Sequence, residues 1–200
     1  MAKKELEKDL STEEKILEAA RKVFTEKGYA ATRTRDIADE AGINLALLNY
    51  YFRSKEKLFF HIMTETVQEL VAFMLPIINN EETSLDEKIE IFAHKYIEVV
   101  TKNPNLPLFL SSEIQKADSD YKLPLDKIIN SAPLLKQIKK RNPDLDPIHF
   151  FMNLLGMTIF PFFAKPVLTK FNVLDEKKFN KMNEERKKLI PIWIKTLLDN

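Results

Sequence analysis

Residues 32–57 read TRTRDIADEAGINLALLNYYFRSKEK, and their spacing decides the fold. Thr34 offers a side-chain acceptor just ahead of Arg35, Asp36 and the apolar pair Ile37 and Ala38, which is how a helix N-terminus is commonly written. That helix is predicted to end near Ala41, where Gly42 supplies the left-handed backbone that closes a helix without a Cβ penalty. Asn44 is then a good N-cap for a second helix opening at Leu45. Two short helices joined by a turn of about three to four residues make a helix-turn-helix. In the second helix Leu48 and Phe52 stand at i and i+4 and face inward with Ile37 and Ile43. Leu45, Ala46, Leu47, Asn49 and Tyr50 are left facing outward. That face is too apolar for a simple solvent face. It suits the edges of base pairs, where Leu and Ala meet thymine methyls and Asn pairs with adenine.

Cations surround this pair of helices. Arg35 lies in the first turn of one helix, and Arg53, Ser54, Lys55 and Lys57 surround the start of the next, so charged side chains and free backbone N–H groups converge where anions would sit. Between residues 21 and 60 there are eight basic and five acidic side chains. The excess is small, and the same two amphipathic helices are also compatible with plain core packing.

The strings RDIADEAGIN, LLNYYF and RSKEKLF, preceded by KILEAARKVFTEKGYAATRTRDIA, resemble the N-terminal domain of the TetR family, the tetracycline-repressor-like transcriptional regulators. The likeness is continuous from about residue 12 to 62. It implies recognition-helix contacts from Asn44, Leu45, Ala46, Leu47, Asn49, Tyr50 and Tyr51. Thr34, beside Arg35, and Lys55 match family positions that hold phosphates. Two departures set the chain apart. Leu45 and Ala46 stand where the family often has a polar or basic residue and a glycine, and Asn49 replaces a common tyrosine. A preference for thymine methyls at the centre of each half-site is therefore expected, and relatives need not share it.

Composition narrows the alternatives. A chain of 200 residues suits one or two small domains. A net charge of +1 argues against a general polyanion binder, so any nucleic-acid contact must be local. The absence of cysteine removes disulfides, thiolate catalysis and cysteine-based zinc sites. Only three glycines and few alternating β-branched runs point to an all-α protein. The opening MAKKELEKDL lacks the apolar core of a signal peptide, and a cytoplasmic location without membrane association is expected. The most apolar stretch, residues 150–164, is shorter than the roughly 20 residues a bilayer span needs, and Asn153 and Pro161 interrupt it.

The expected plan is an N-terminal three-helix helix-turn-helix domain over residues 1–57, preceded by a short charged arm, and a helical C-terminal domain over residues 58–200. Ser11 and Glu14 fit a capping box opening helix one, whose stripe of Ile16, Ala20, Val23 and Phe24 faces inward before Gly28 ends it. A fourth helix is predicted from Ser54 to a break at Pro76. A second capping box, Ser84 with Glu87, opens a helix ending before Asn103 and Pro104. The proline-rich region 104–147 suggests short segments at 106–117 and 125–140. Asp146 and Pro147 start a helix through the apolar run. The last helix covers about 176–198, with Pro191 kinking it.

The resemblance implies a C-terminal domain that binds an inducer and dimerises. Phe73, Phe92, Tyr96, Phe109, Met152, Met157, Phe160 and Phe163 are candidates for lining an apolar ligand site, with Asn153, Thr158 and Glu113 as polar guides. The same spacing also describes ordinary core. A homodimer on a near-palindromic operator is expected because one short helix reads few base pairs, and the stripes at 150–163 and 190–198 are candidate interfaces. An alternative plan has no small-molecule inducer, and the C-terminal domain engages a protein partner. No catalytic or metal site is expected, and no cofactor: His61, His94 and His149 are scattered, and neither a phosphate-cradling glycine loop nor a nucleophile elbow occurs.

Overall fold

A computed structural model describes residues 2–115 and 125–199, with side chains described for 12–112 and 127–199. The regular structure of the described residues is helical. The elements are α1 (Ala2–Ala31), α2 (Thr34–Ala41), α3 (Leu45–Phe52), α4 (Lys55–Asn79), α5 (Leu85–Lys102), α6 (Leu106–Gln115), α7 (Leu125–Ile129), α8 (Ala132–Arg141), α9 (Pro147–Lys170) and α10 (Glu176–Asp199). The end of the segment expected at 106–117 and the side chain of Glu113 lie outside the described residues.

The chain divides into two units, Met1–Val67 and Gln68–Asn200. The division falls within α4, further along than the 57/58 boundary expected from sequence. In the first unit, Ile16, Ala20, Val23 and Phe24 of α1 are buried with Ile37 and Ala38 of α2, Leu48 and Phe52 of α3, and Leu58, Ile62 and Met63 of α4. Burying such side chains contributes roughly 1.5–3 kcal/mol each before entropy is counted. Arg21 of α1 ties this core to α4, with Nη2 donating to Glu65 at 2.8 Å and Nη1 to Thr66 at 3.3 Å.

Three local expectations need correction. The opening helix does not begin at Ser11: α1 runs back to Ala2, because residues 2–10 are mostly strong helix formers and nothing there breaks the helix. Gly28 does interrupt it, at φ 76° and ψ 158°, but a further turn follows to Ala31. Pro76 lies inside α4, which continues to Asn79; α9, by contrast, runs through the apolar stretch as expected, with Pro161 and Pro166 inside it. A proline in a helix leaves one carbonyl without its donor, and a single lost bond can be offset by neighbours.

In the second unit α10 packs chiefly on α5 and α9, and α9 also meets α5, α6 and α8. The Ser84 box forms as expected, Ser84 Oγ accepting from Glu87 N at 3.3 Å and the Glu87 carboxylate accepting from Ser84 N at 2.8 Å. Asp146 caps α9 through the N–H of Ile148 at 3.0 Å. The segment expected at 125–140 is divided into α7 and α8, with Ser131 capping α8. Polar staples hold the helix ends. Arg141 of α8 reaches Asp86 of α5 and Asp199 of α10, each at 2.7 Å, and Lys195 donates to Glu90 at 2.6 Å. Buried Lys88 donates to Gln137 Oε1 at 2.8 Å, and burial draws its pKa below the usual lysine range.

Pro161 has a specific consequence. Its missing N–H leaves the Met157 carbonyl without an intrahelical donor, and Arg186 of α10 supplies one, Nη2 to O at 2.7 Å. By length and composition α4 and α9 would each pass as a bilayer span, with mean hydropathy 1.3 and 1.4. Core helices meet the same criterion, and 39% and 33% of these windows are buried within the fold.

Candidate nucleic-acid interface

The helix-turn-helix is built as its sequence implies, with one change at its entrance. Thr34 is the first helical residue of α2, and the cap is Arg33. The Arg33 N–H donates to Asp36 Oδ2 at 2.9 Å, so the acidic residue of the first turn closes the helix start from inside. That bond, with Lys27 at 3.2 Å, holds the Asp36 carboxyl below the usual carboxylate range. Gly42 takes φ 66°, and its N–H meets the last carbonyls of α2. Asn44 Oδ1 accepts from Leu47 N at 2.7 Å, which opens α3.

The two faces of α3 separate cleanly. Leu48 is fully buried and Phe52 nearly so. On the other side Ala46 and Asn49 are exposed, Leu45, Leu47 and Tyr51 are half-exposed, and Tyr50 is 79% exposed. A tyrosine ring that far out of the core has no packing role within this chain. Among the described residues its ring neighbour is Tyr51, edge-on at 5.5 Å. Arg53 ends α3 at φ 58°, a conformation costly for a side chain with a Cβ, and turns the chain into α4. Ser54 then caps α4, Oγ accepting from Lys57 N at 3.2 Å.

The cations around this face have different occupations. Lys22 pairs with Glu40 at 2.6 Å, Lys27 with Asp36, and Arg21 with Glu65. Arg35, Arg53 and Lys57 are exposed and form no ion pair among the described residues. Lys55 is the surprise. Its ammonium donates to the carbonyls of Tyr29 and Thr32, each at 3.0 Å, and sits 4.3 Å from the centre of the Tyr29 ring. Those carbonyls are exposed by the break at Gly28, so Lys55 satisfies the frayed end of α1 and leaves one N–H for another partner. Sequence alone gave no sign of this, because the acceptors are backbone groups far away in the chain. Tyr29 itself donates to Glu56 at 3.2 Å, and burial, with Glu56 nearby, raises its phenol pKa.

In the second unit the eight ligand candidates separate. Tyr96 and Phe109 are buried, Phe92 and Met157 are half-buried, and Phe73, Met152, Phe160 and Phe163 are exposed. Phe92 stacks on Tyr96 at 5.5 Å. The Tyr96 hydroxyl is buried without a partner among the described residues, and burial pushes its pKa far up. Asn153 is exposed, and Thr158 turns its hydroxyl back onto the Leu154 carbonyl at 2.8 Å. No group of three or more His, Cys, Asp or Glu that would suit a metal occurs among the described residues.

A buried three-helix scaffold presenting one short helix, apolar on its outer side and flanked by arginines that form no ion pair among the described residues, defines a helix-turn-helix DNA-binding protein. Residues 16–62 match the family described as "Bacterial regulatory proteins, tetR family". The chain is 26% identical over 204 aligned residues to the probable HTH-type transcriptional regulator YttP of Bacillus subtilis, covering 94% of each. It is 24% identical to IcaR, the negative transcriptional regulator of the biofilm operon in Staphylococcus epidermidis, over 91% of this chain and 98% of that one. Among solved structures, FadR from Bacillus subtilis in complex with stearoyl-CoA shares the fold with a TM-score of 0.57, at 18% identity and 88% and 96% coverage. Over residues 16–62 the chain therefore carries a tetR-type DNA-binding domain, and over most of its length it is similar to transcriptional regulators.

Proposed function

We propose that this regulator is a cytoplasmic homodimeric repressor that holds a near-palindromic operator and leaves it when a small, largely apolar ligand occupies the C-terminal unit. The outward face of α3, with Tyr50 79% exposed, is the observation that carries the DNA-binding part. Leu45, Ala46, Leu47, Asn49 and Tyr50 read base edges, with Asn44 at the helix start. Thr34, Arg35 and Tyr51 meet phosphates, Arg53 and Lys57 add charge, and Lys55 has one N–H left for the backbone.

Two copies are needed because one such helix spans few base pairs, and half-sites about 34 Å apart or multiples of that match a two-fold protein. The support within the chain is a row of exposed apolar residues on α9 (Ile148, Met152, Phe160, Phe163, Val167) and another on α10 (Leu189, Ile192, Trp193, Leu197). Contiguous apolar surface of this kind marks an association site. The same face also fits the alternative of a heterologous protein partner in place of an inducer, and the mass of the particle in solution separates the two. Release from DNA requires a ligand that prefers the non-binding conformer, since equal affinity for both shifts nothing. The continuous helix α4 is the element through which that preference would reach the recognition helices.

Selection of bound sequences from random duplex DNA tests the reading. A two-fold symmetric motif with thymines at the centre of each half-site is expected. A motif without symmetry refutes the dimer, and no enrichment at all refutes DNA recognition by this face.

A further inference from the structure

The buried stripe of α10 consists of Phe179, Asn183, Ile190, Ile194 and Leu198, apolar in every position but one. Asn183 is 1% exposed, and neither its Nδ2 nor its Oδ1 has a hydrogen-bond partner among the described residues. One turn further on, Arg186 uses Nη2 on the Met157 carbonyl, while its Nε is buried and has no partner among the described residues. No carboxylate faces this guanidinium among the described residues, and burial alone lowers its pKa.

The opposite wall is α9, running antiparallel. The Phe162 and Phe179 rings meet edge-on at 5.4 Å, and Arg186 meets Met157, so these two contacts bracket Thr158 and Asn183 on the facing helices. Thr158 is 1% exposed and spends its hydroxyl proton on its own helix. Two buried donors and one buried acceptor without partners therefore fall within one turn of α10. Buried polar groups are paired with protein or ordered water in nearly all folded proteins, so such a cluster has hydrogen-bonding capacity to offer a polar guest. Asn183 is too deeply buried for a second protein chain to reach. The other cations at this level are occupied: Lys165 pairs with Glu176 at 2.9 Å and Lys187 with Glu184 at 2.6 Å. One uncompensated positive charge matches one negative charge, which favours a carboxylate over a phosphate.

We infer that Asn183 and Arg186 receive the carboxyl group of an otherwise apolar ligand, which makes the effector a fatty-acid-like carboxylic acid. This rests on the apolar-ligand reading above and narrows it. Arg186 Nε and Asn183 Nδ2 donate to the carboxyl oxygens, and the hydrocarbon part lies against the aromatic and aliphatic side chains of α9 and α10.

The test uses the full chain with hexanoic, decanoic and hexadecanoic acids and their methyl esters. Thermal unfolding and the fluorescence of Trp193, whose ring lies 5.3 Å from the Arg186 guanidinium, are followed. At least one acid is expected to raise the unfolding midpoint by several degrees and to change the Trp193 emission, with its ester weaker by about tenfold or more. Asn183→Leu should fold with an unchanged or higher midpoint and lose the response to acid. Arg186→Met should lose it too, although that variant also bares the Met157 carbonyl, so the asparagine variant decides. Esters acting as well as acids, or Asn183→Leu responding like the parent, overturns the carboxyl site and leaves the apolar-ligand reading standing. If neither acids nor esters act, both fail together.

Discussion

Replacing Lys55 by methionine keeps the aliphatic stem and removes the ammonium, which separates the two things this lysine can do. Within the chain it makes two charge-assisted hydrogen bonds, to the Tyr29 and Thr32 carbonyls at 3.0 Å, and a cation–π contact with Tyr29. Fully buried bonds of this type are worth about 1.5–3 kcal/mol each. Lys55 is half-buried, so about 1 kcal/mol each is the better figure, and the ring contact adds roughly 0.5–1 kcal/mol. The expected loss is about 2–3 kcal/mol, confined to the first unit. Amide hydrogen exchange followed by mass spectrometry reads this directly, as faster exchange in peptides covering α1 and α2 with the second unit unchanged. Arg53→Ala provides the contrast. It should leave exchange in α1 and α2 unaltered and reduce the salt dependence of operator binding by about one phosphate. If Lys55→Met exchanges like the parent while its salt slope falls by about one, the ties to α1 contribute nothing and Lys55 acts as a phosphate anchor alone.

Two other outcomes follow from the geometry. Asp36 has its pKa held down by the Arg33 N–H and by Lys27, so its charge stabilises the fold above the ordinary carboxylate pKa of ~3.9, and that contribution disappears as pH falls through the lowered value. Asp36→Asn should flatten the acid side of the melting curve of the first unit by circular dichroism, and parallel curves for the two proteins would contradict this. Phe160→Asp changes a residue that is 68% exposed, so folding stability should stay within about 0.5 kcal/mol while light scattering reports a monomer and operator affinity falls by roughly 10²-fold. A dimer that survives the change places the interface elsewhere.

The helix-turn-helix was legible because everything that defines it is local. Gly42 and Asn44 lie two residues apart, and each acts on its nearest helical turn, so the pattern of residues is the pattern of hydrogen bonds. The same holds for Ser84 with Glu87 and for Asp146. The residue pattern misleads where a group it does not single out intervenes, whether near or far in the chain. Thr34 looks like a cap, yet the Arg33 backbone finds Asp36 first. Pro76 looks like a stop, yet α4 continues, and at Pro161, inside α9, the freed carbonyl is met from another helix. Residues 184–188 look like a solvated face, since all five are charged, two acidic followed by three basic. Arg186, in the middle of that run, points its Nε into the fold. Of the eight aromatic and methionine residues considered for a ligand, four are exposed. Helical spacing orders side chains around one helix and does not say which side another helix covers.

The contact between Arg186 and the carbonyl freed by Pro161 constrains the order in which the two residues can change. With arginine already in place, a proline entering α9 finds a donor for the carbonyl it strands. Arriving in the other order, it would leave that carbonyl bare in the interior. Reversal is equally one-sided: proline can be lost while arginine remains, but arginine cannot readily go first. Drift at these two positions therefore runs along a single allowed order, and a sequence carrying Pro161 alone would have to repair α9 by some other means.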